Sequence, residues 1–299
     1  MEGVGMSGIE RFGAGQATQA ADVLARDGVI AFDRIFDPGL IAQIGQQLRC
    51  QVPGAFDESA RQPEDYLSVG DHRINGLVPI GRRLAGVLDL LLDPALETFF
   101  TAALGDGWVY ESFGVISSFP GATLQHLHSD DNFLFEGSEH DGQLPAFALT
   151  IAIPLVEVND VNGGTEFLIG THREKKQQSY PGTPVTSSLH PGDCMIWDFM
   201  IRHRGRPNTS TAARPMLYIT ACRSFWTDSV NFRPNARKLV IQPDLVWSLP
   251  PEKRRRLKRF KPMPGVGTGL RSVSRAVNWY VPGLHRGLMK LLRRPGSPR

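Results

Sequence analysis

The chain has 299 residues, 41% of them hydrophobic and 21% charged, an ordinary globular balance that sets it apart from disordered and fibrous classes. No apolar run reaches the roughly 18 residues that a bilayer crossing needs. The formal net charge of +3 hides an asymmetry: fourteen of the 33 Lys/Arg and none of the 30 Asp/Glu lie from Lys253 onward, so the preceding body is acidic. Met1 to Gln16 is Gly-rich and has no basic stretch followed by an apolar one, so no secretory signal is expected. Cys50, Cys194 and Cys222 are odd in number and widely spaced, which argues against a disulfide framework or a Cys-based zinc site and fits a reducing cytoplasm.

In chain order, residues 16 to 27 read as a helix stopped by Gly28, and Val29-Ile30-Ala31-Phe32 as a short buried strand. Asp37-Pro38 opens a second helix, with Leu40, Ile41, Ile44 and Leu48 at helical spacing. A third helical region covers about 81 to 104 and breaks near Asp93-Pro94. After Gly107 the pattern turns to strands: 108–116, 147–155, 165–169, 194–199 and 216–225, separated by Gly and Pro clusters. Helices followed by many short strands predict an α+β, mainly β fold, with N-terminal helices supporting a sandwich or jelly roll. The polar segment 129 to 146 reads as a loop over the site.

The chemistry concentrates in Gln125-His126-Leu127-His128-Ser129-Asp130, in His203, and in Arg214 eleven residues further on. In a strand, residues i and i+2 share a side, so His128 and Asp130 face one point, and His126 lies on that side at the rim. Two imidazoles and one carboxylate suit ferrous iron with open positions, and zinc hydrolases use the same ligand types. The metal therefore stays open at this level. A surface His beside a solvated Asp is the bland alternative. Asn208 and Asp193 read as turn and cap residues.

Four motifs appear in order: Gln125-X-X-His128-X-Asp130; Asn162-Gly163-Gly164-Thr165 with Gly170-Thr171-His172; Pro191-Gly192-Asp193; and His203-X-Gly205-X-Pro207-Asn208-X-Ser210 with Arg214. Over roughly residues 20 to 228 the chain resembles the phytanoyl-CoA dioxygenase family of iron(II)/2-oxoglutarate oxygenases. The resemblance implies a double-stranded β-helix (jelly roll, cupin-like) core. It implies His128, Asp130 and His203 as iron ligands, and Arg214, Thr165 and Gln125 as 2-oxoglutarate contacts. His72 or Arg73 fits a further polar contact that family members draw from the segment before the core. It also implies Fe(II), 2-oxoglutarate and O2 as reactants, with ascorbate as reductant. Relatives that halogenate replace the carboxylate ligand by a small residue, so Asp130 favours hydroxylation; desaturation, epoxidation and rearrangement use the same ligands.

The expected substrate is a small, partly apolar metabolite of secondary metabolism. Phe133, Phe135, Phe147, Phe225, Trp226 and Phe232 are its candidate aromatic lining, although aromatic residues are more often core. The expected organisation is a flexible N-terminus over 1–14, an oxygenase domain over 15–235, and a partly helical basic extension over 236–299. That extension, with an amphipathic stretch near Leu284 to Leu292, is read as docking an acidic partner or a membrane surface, or as simply solvated. Nucleic acid is disfavoured, because no aromatic residues interleave the basic run. A metal-dependent hydrolase or isomerase and a non-catalytic binding protein are the competing readings; Arg214 favours the oxygenase, since a hydrolase needs no co-substrate anchor.

Overall fold

The computed structural model describes residues 8–62, 66–175, 179–186, 188–228 and 237–263. Strand β1 is Arg11–Phe12, and helix α1 runs over Ala17–Asp27. Gly28 ends α1 at φ 83°, its N–H closing on Leu24 O, a left-handed stop that glycine adopts without steric cost. β2 follows at once as Val29–Phe32. Helix α2, Pro38–Gln51, has Pro38 in its first turn and is capped by Asp37, whose carboxylate accepts the Gly39 N–H at 2.9 Å. β3 (Tyr66–Ser68) and β4 (Arg73–Leu77) form an antiparallel pair that the sequence pattern did not reveal. The third helical region divides as expected into α3, Val87–Leu91, and α4, Pro94–Leu104, with Asp93 capping the second.

The remaining strands are β5 (Val109–Ser118), β6 (Ala148–Pro154), β7 (Thr165–Leu168), β8 (Val185–Thr186), β9 (Cys194–Asp198), β10 (Arg202–Gly205) and β11 (Arg214–Cys222). An eight-stranded, mostly antiparallel sheet has the order β1-β2-β9-β6-β11-β5-β4-β3, and a second sheet of three strands has the order β10-β7-β8. The fold is therefore mixed α and β around one large sheet.

Alternation along each strand builds two cores. Ile30, Phe32, Ile151, Ile153, Ile196, Leu217 and Ile219 point to the helices, where Ile41, Ile44, Phe99 and Phe100 meet them. Their neighbours Val29, Ala31, Ala152, Met195, Trp197 and Met216 point the other way, toward Phe167 of the small sheet and Ile201 just before β10. Both faces of the large sheet are covered, which is why its central strands read as unbroken apolar runs. Polar residues on the inner face are thus exceptions that call for a function.

The glycine motif holds the small sheet in place. Gly163 has φ 67°, and a Cβ there would lie 2.1 Å from Pro207 O, so no other residue fits this turn. Asn208 completes it, donating to Ser118 O at 2.9 Å and Ala212 O at 3.0 Å.

Of the basic extension expected over 236–299, residues 237–263 pack against the body of the protein. β12 (Val240–Ile241) pairs in parallel with β13 (Lys261–Pro262), and Ile241 also bridges to Ile80. Arg256 is 1% exposed; its guanidinium forks onto Glu97, lies 4.3 Å from the Trp108 ring, and donates to the Asp106 and Trp108 carbonyls. Arg259 binds Glu111 at 2.6 Å, and Arg255 reaches Asp106 at 3.1 Å. Three arginines of this half of the extension thus meet carboxylates of the protein's own body. Arg256→Ala is expected to cost roughly 2–4 kcal/mol in denaturant unfolding, because it empties a packed site against Trp108 and removes the donors to the Asp106 and Trp108 carbonyls. Arg255→Ala, at a half-exposed pair, should cost under about 1 kcal/mol. The stretch near Leu284 to Leu292 lies outside the described residues. Among those described, no helix is long and apolar enough to cross a membrane.

Candidate metal centre and co-substrate pocket

A single antiparallel bridge joins His128 to His203. His128 N–H donates to His203 O at 3.0 Å, and His203 N–H returns the bond at 2.8 Å. Residues paired in this way present their side chains on one face, so the two rings lie 4.5 Å apart between centroids. The Nδ1 of His128 sits 2.9 Å from His126 O, and that of His203 sits 3.0 Å from Ile201 O. A carbonyl only accepts. Both rings therefore carry their proton on Nδ1 and keep Nε2 as a free donor atom for a metal.

Asp130 arrives differently from the expectation. The chain does not continue as a strand past His128; it bends, with Ser129 Oγ closing onto Asp131 O at 2.8 Å. The Asp130 N–H is caught by Phe199 O at 2.8 Å, which places the carboxylate independently of any pleat. Its Oδ2 accepts from Thr150 Oγ1 at 2.8 Å and from Trp197 Nε1 at 3.0 Å. The other oxygen, Oδ1, lies 3.9 Å from His203 Nε2. One ligand atom from each of the three residues falls within 4.8 Å of the others. Burial, reinforced by His203, holds the His128 imidazole below its ordinary pKa. Burial pushes the Asp130 carboxyl upward, but His203, Arg237 and Thr150 outweigh it and keep it below the ordinary range. A neutral imidazole beside an ionised carboxylate is the state a divalent metal requires.

A second polar group occupies the inner face. Arg214 opens β11 opposite Ser118 of β5, and Arg73 opens β4 opposite the same Ser118 from the other side. Residues in one cross-strand row share a face, so the two arginines flank Ser118. Both are buried, at 2% and 3% exposure for Arg73 and Arg214. Arg73 donates to the Thr123 and Arg206 carbonyls. Arg214 Nη1 donates to Met216 Sδ, at 2.7 Å. The Nε of each has no partner, and among the described residues neither guanidinium forms an ion pair. Burial and then the neighbouring Arg214 bring Arg73 down to about 10. Among the described residues Asp71 acts on Arg73 only from beyond ion-pair distance, and two buried cations without a contacting carboxylate are costly unless an anion joins them.

Tyr218 links the two groups. Four residues past Arg214, it shares that inner face, and its hydroxyl is hydrogen-bonded to Thr165 of β7. Burial raises its pKa, while Arg214 and that hydrogen bond oppose the rise. Period-two counting from Arg214 would have found it, as it would have found Thr150 and Trp197 from their strands.

Several expected contacts are placed elsewhere. The Gln125 amide is already used at both ends: Nε2 donates to Val69 O at 2.6 Å, and Oε1 accepts the Gly205 N–H at 2.8 Å. These two bonds brace the loop and use one N–H and one lone pair of the amide. Of the pair His72 and Arg73, only Arg73 joins the site; His72 is exposed, at φ 52°, with its ring 2.9 Å from Glu58. His126 is exposed at the rim, its ring 5.1 Å from that of His128. Trp226 is core, 5.7 Å from Phe147 and 5.2 Å from Phe199, and Phe133 packs on the same cluster. Phe225 is 70% exposed. Phe232 lies outside the described residues. The cavity beside Asp130 is mixed in character: Asn75, Ser112, Thr150, Tyr218, Thr220 and Arg237 line it together with the apolar Leu77, Phe113, Ile116 and Ile219.

Asp198 ends β9 in buried surroundings that raise its carboxyl to about 7, a rise countered by the Met200 N–H that it accepts at 2.8 Å. With the folded value raised, its contribution is full at low pH and is lost as pH climbs from the ordinary carboxylate range through about 7. Asp198→Asn keeps the acceptor and loses the charge. In chelator-treated protein it is expected to gain stability at pH 8, by at most roughly 4 kcal/mol, and to flatten the pH slope of the urea midpoint. An unchanged slope would assign the pH response to another group.

Comparison with known proteins agrees with this geometry. The model of the family described as phytanoyl-CoA dioxygenase (PhyH) matches residues 24–216. Dioxygenase cdmA of Talaromyces verruculosus is 26% identical over 249 residues, covering 78% of this chain and 80% of its own. The iron/alpha-ketoglutarate-dependent dioxygenase okaE of Penicillium ochrochloron is 21% identical over 174 residues, or 56% of each chain. Among solved structures, the epimerase SnoN in complex with Fe3+, alpha-ketoglutarate and nogalamycin RO superposes with TM-score 0.54 at 15% identity, over 75% of this chain and 94% of that one. AviO1 from Streptomyces viridochromogenes gives 0.53 at 19% identity, over 70% and 95%. These two share the fold. With more than half of its length matched by the family model, this chain belongs to the phytanoyl-CoA dioxygenase family.

Proposed function

We infer that the protein is an iron(II)- and 2-oxoglutarate-dependent dioxygenase that hydroxylates a C–H bond of a small molecule in secondary metabolism. The observation that carries this reading is the pairing of two preformed half-sites. One is a convergent His-Asp-His set in which each Nδ1 meets a backbone carbonyl and Nε2 is left for a metal. The other is a pair of buried arginines that form no ion pair among the described residues. A zinc hydrolase would account for the first and leave the second unexplained. The two stacked sheets fit a double-stranded β-helix, with the site between them.

His128, His203 and Asp130 would hold the iron, with Thr150 and Trp197 fixing one carboxylate oxygen so that the other faces the metal. Arg214, with Arg73 beside it, would receive the distal carboxylate of 2-oxoglutarate by charge-assisted hydrogen bonds. Tyr218 and Thr165 offer hydroxyls between that end and the metal. Phe167 and Trp197, 5.7 and 5.5 Å from the His203 ring, keep water from its buried side. When bound, iron and 2-oxoglutarate supply oxygen activation coupled to decarboxylation of the keto acid to succinate and CO2. The protein's own part is position, protonation state and exclusion of water. The carboxylate of Asp130 favours hydroxylation over halogenation.

The reading is tested by oxygen uptake with iron, 2-oxoglutarate and ascorbate. We expect uptake matched by succinate, lost with zinc in place of iron and lost without the keto acid. Turnover that persists with zinc alone would instead support a hydrolase.

A further inference from the structure

The cavity beside the metal ligands has apolar walls in Leu77, Phe113, Ile116 and Ile219, and polar groups set among them. Asn75, Ser112, Thr150, Tyr218 and Thr220 turn polar side chains into it from four adjacent strands. Most of these groups are already engaged: Ser112 with Thr220 at 2.8 Å, Thr150 with Asp130, and Tyr218 with Thr165. The cation in the lining is Arg237, contributed by the segment after the core strands. Its one ion pair among the described residues is with Asp228, at 2.8 Å, which leaves guanidinium N–H groups for a ligand.

Arg237 is held from behind. Asp228 is 3% exposed, and its N–H donates to Glu111 Oε1 at 3.2 Å. Glu111 is in turn fixed by Thr227 Oγ1 at 2.5 Å and by Arg259 at 2.6 Å. The docked basic segment thus ends at the cavity wall. A guanidinium held in place before binding loses little freedom when it meets a ligand. Its field reaches Asp130, whose carboxyl it helps to keep ionised.

We propose that Arg237 is the specificity-determining residue for the substrate, receiving an anionic oxygen group, such as a carboxylate, at the cavity wall beside the metal. Asp228 is its positioning residue. This rests on the oxygenase reading and narrows it: the substrate is an oxygenated acid whose charge sets which C–H bond faces the metal, rather than a neutral hydrocarbon skeleton. One charge-assisted hydrogen-bonded pair at a partly buried site corresponds to roughly ten- to a hundredfold in affinity.

The test uses the anaerobic enzyme loaded with Fe(II) and 2-oxoglutarate, monitored by the visible absorption of the chelate. The probes are 1-naphthoate, adamantane-1-carboxylate and abietate, each beside its methyl ester. We expect at least one acid to perturb the chelate spectrum at a concentration tenfold or more below its ester. Arg237→Gln, compared at equal chelate absorbance, should lose that preference, Arg237→Lys should keep part of it, and Asp228→Asn should weaken it. Acids and esters that behave alike in the wild type, or a preference that survives Arg237→Gln, would overturn the proposal. If Arg237→Gln does not fold, Arg237→Lys and Asp228→Asn decide by the same measure. Absence of the chelate spectrum in the wild type is a different failure, that of the oxygenase reading itself.

Discussion

Arg214→Met is expected to raise the 2-oxoglutarate concentration for half-maximal turnover by roughly a hundredfold or more, the loss of a charge-assisted fork in a dry site. Metal affinity should change little, because His128, Asp130 and His203 take their positions from bonds that do not involve Arg214. Stability without ligand should move in the opposite direction. The wild type buries this guanidinium beside Arg73 with no carboxylate to meet it, so an apolar side chain of similar length removes a cost. Calorimetry should show an equal or higher midpoint for ligand-free Arg214→Met and little of the wild type's stabilisation by 2-oxoglutarate. Loss of metal and keto-acid binding together, with a lower midpoint, would make Arg214 a structural residue.

His203→Ala carries the other large effect. His203 lies at the junction of the two sheets, backbone-paired to His128 and ring-packed on Phe167 and Trp197. Removing the ring deletes one of three ligands and should lower metal affinity by well over a hundredfold, since loss of an outer-shell partner alone typically costs ten- to a hundredfold. The backbone bridge remains, so the fold should survive. His126→Ala, at the exposed rim, should leave metal affinity within a few-fold. Titration with Mn(II), read by magnetic resonance of the free ion, compares the two directly. Equal losses would mean that the triad is not the metal centre.

Much of this was legible before any coordinates. Gly28, Asp37-Pro38 and Asp93-Pro94 mark element ends because a left-handed stop, a cap and a proline act locally. The central strands were visible as apolar runs, since both faces of the large sheet are covered. His128, Asp130, His203 and Arg214 stood out through spacing and through the resemblance that their motifs carry. What escaped was decided by distant partners. β3 and β4 are short and mixed in character, and they exist because β5 offers an edge. Gln125 looks free in sequence, but two backbone groups 56 and 80 residues away claim its amide. Trp226 and Phe133 are aromatic in a loop-rich context, yet Phe147 and Phe199 enclose them. The basic run from Lys253 reads as a tail until Glu97, Asp106 and Glu111 are seen to pair with Arg256, Arg255 and Arg259. Arg237 lay beyond the matched region, and nothing local singled it out.

The central claim is that a redox metal and a keto acid meet between the two sheets. Anaerobic titration of the purified chain with Fe(II), with and without 2-oxoglutarate, tests it most directly. A weak visible charge-transfer band should appear only when both are present, saturate at one iron per chain, and vanish in His203→Ala. Protein saturated with iron and keto acid that shows no such band would contradict the account.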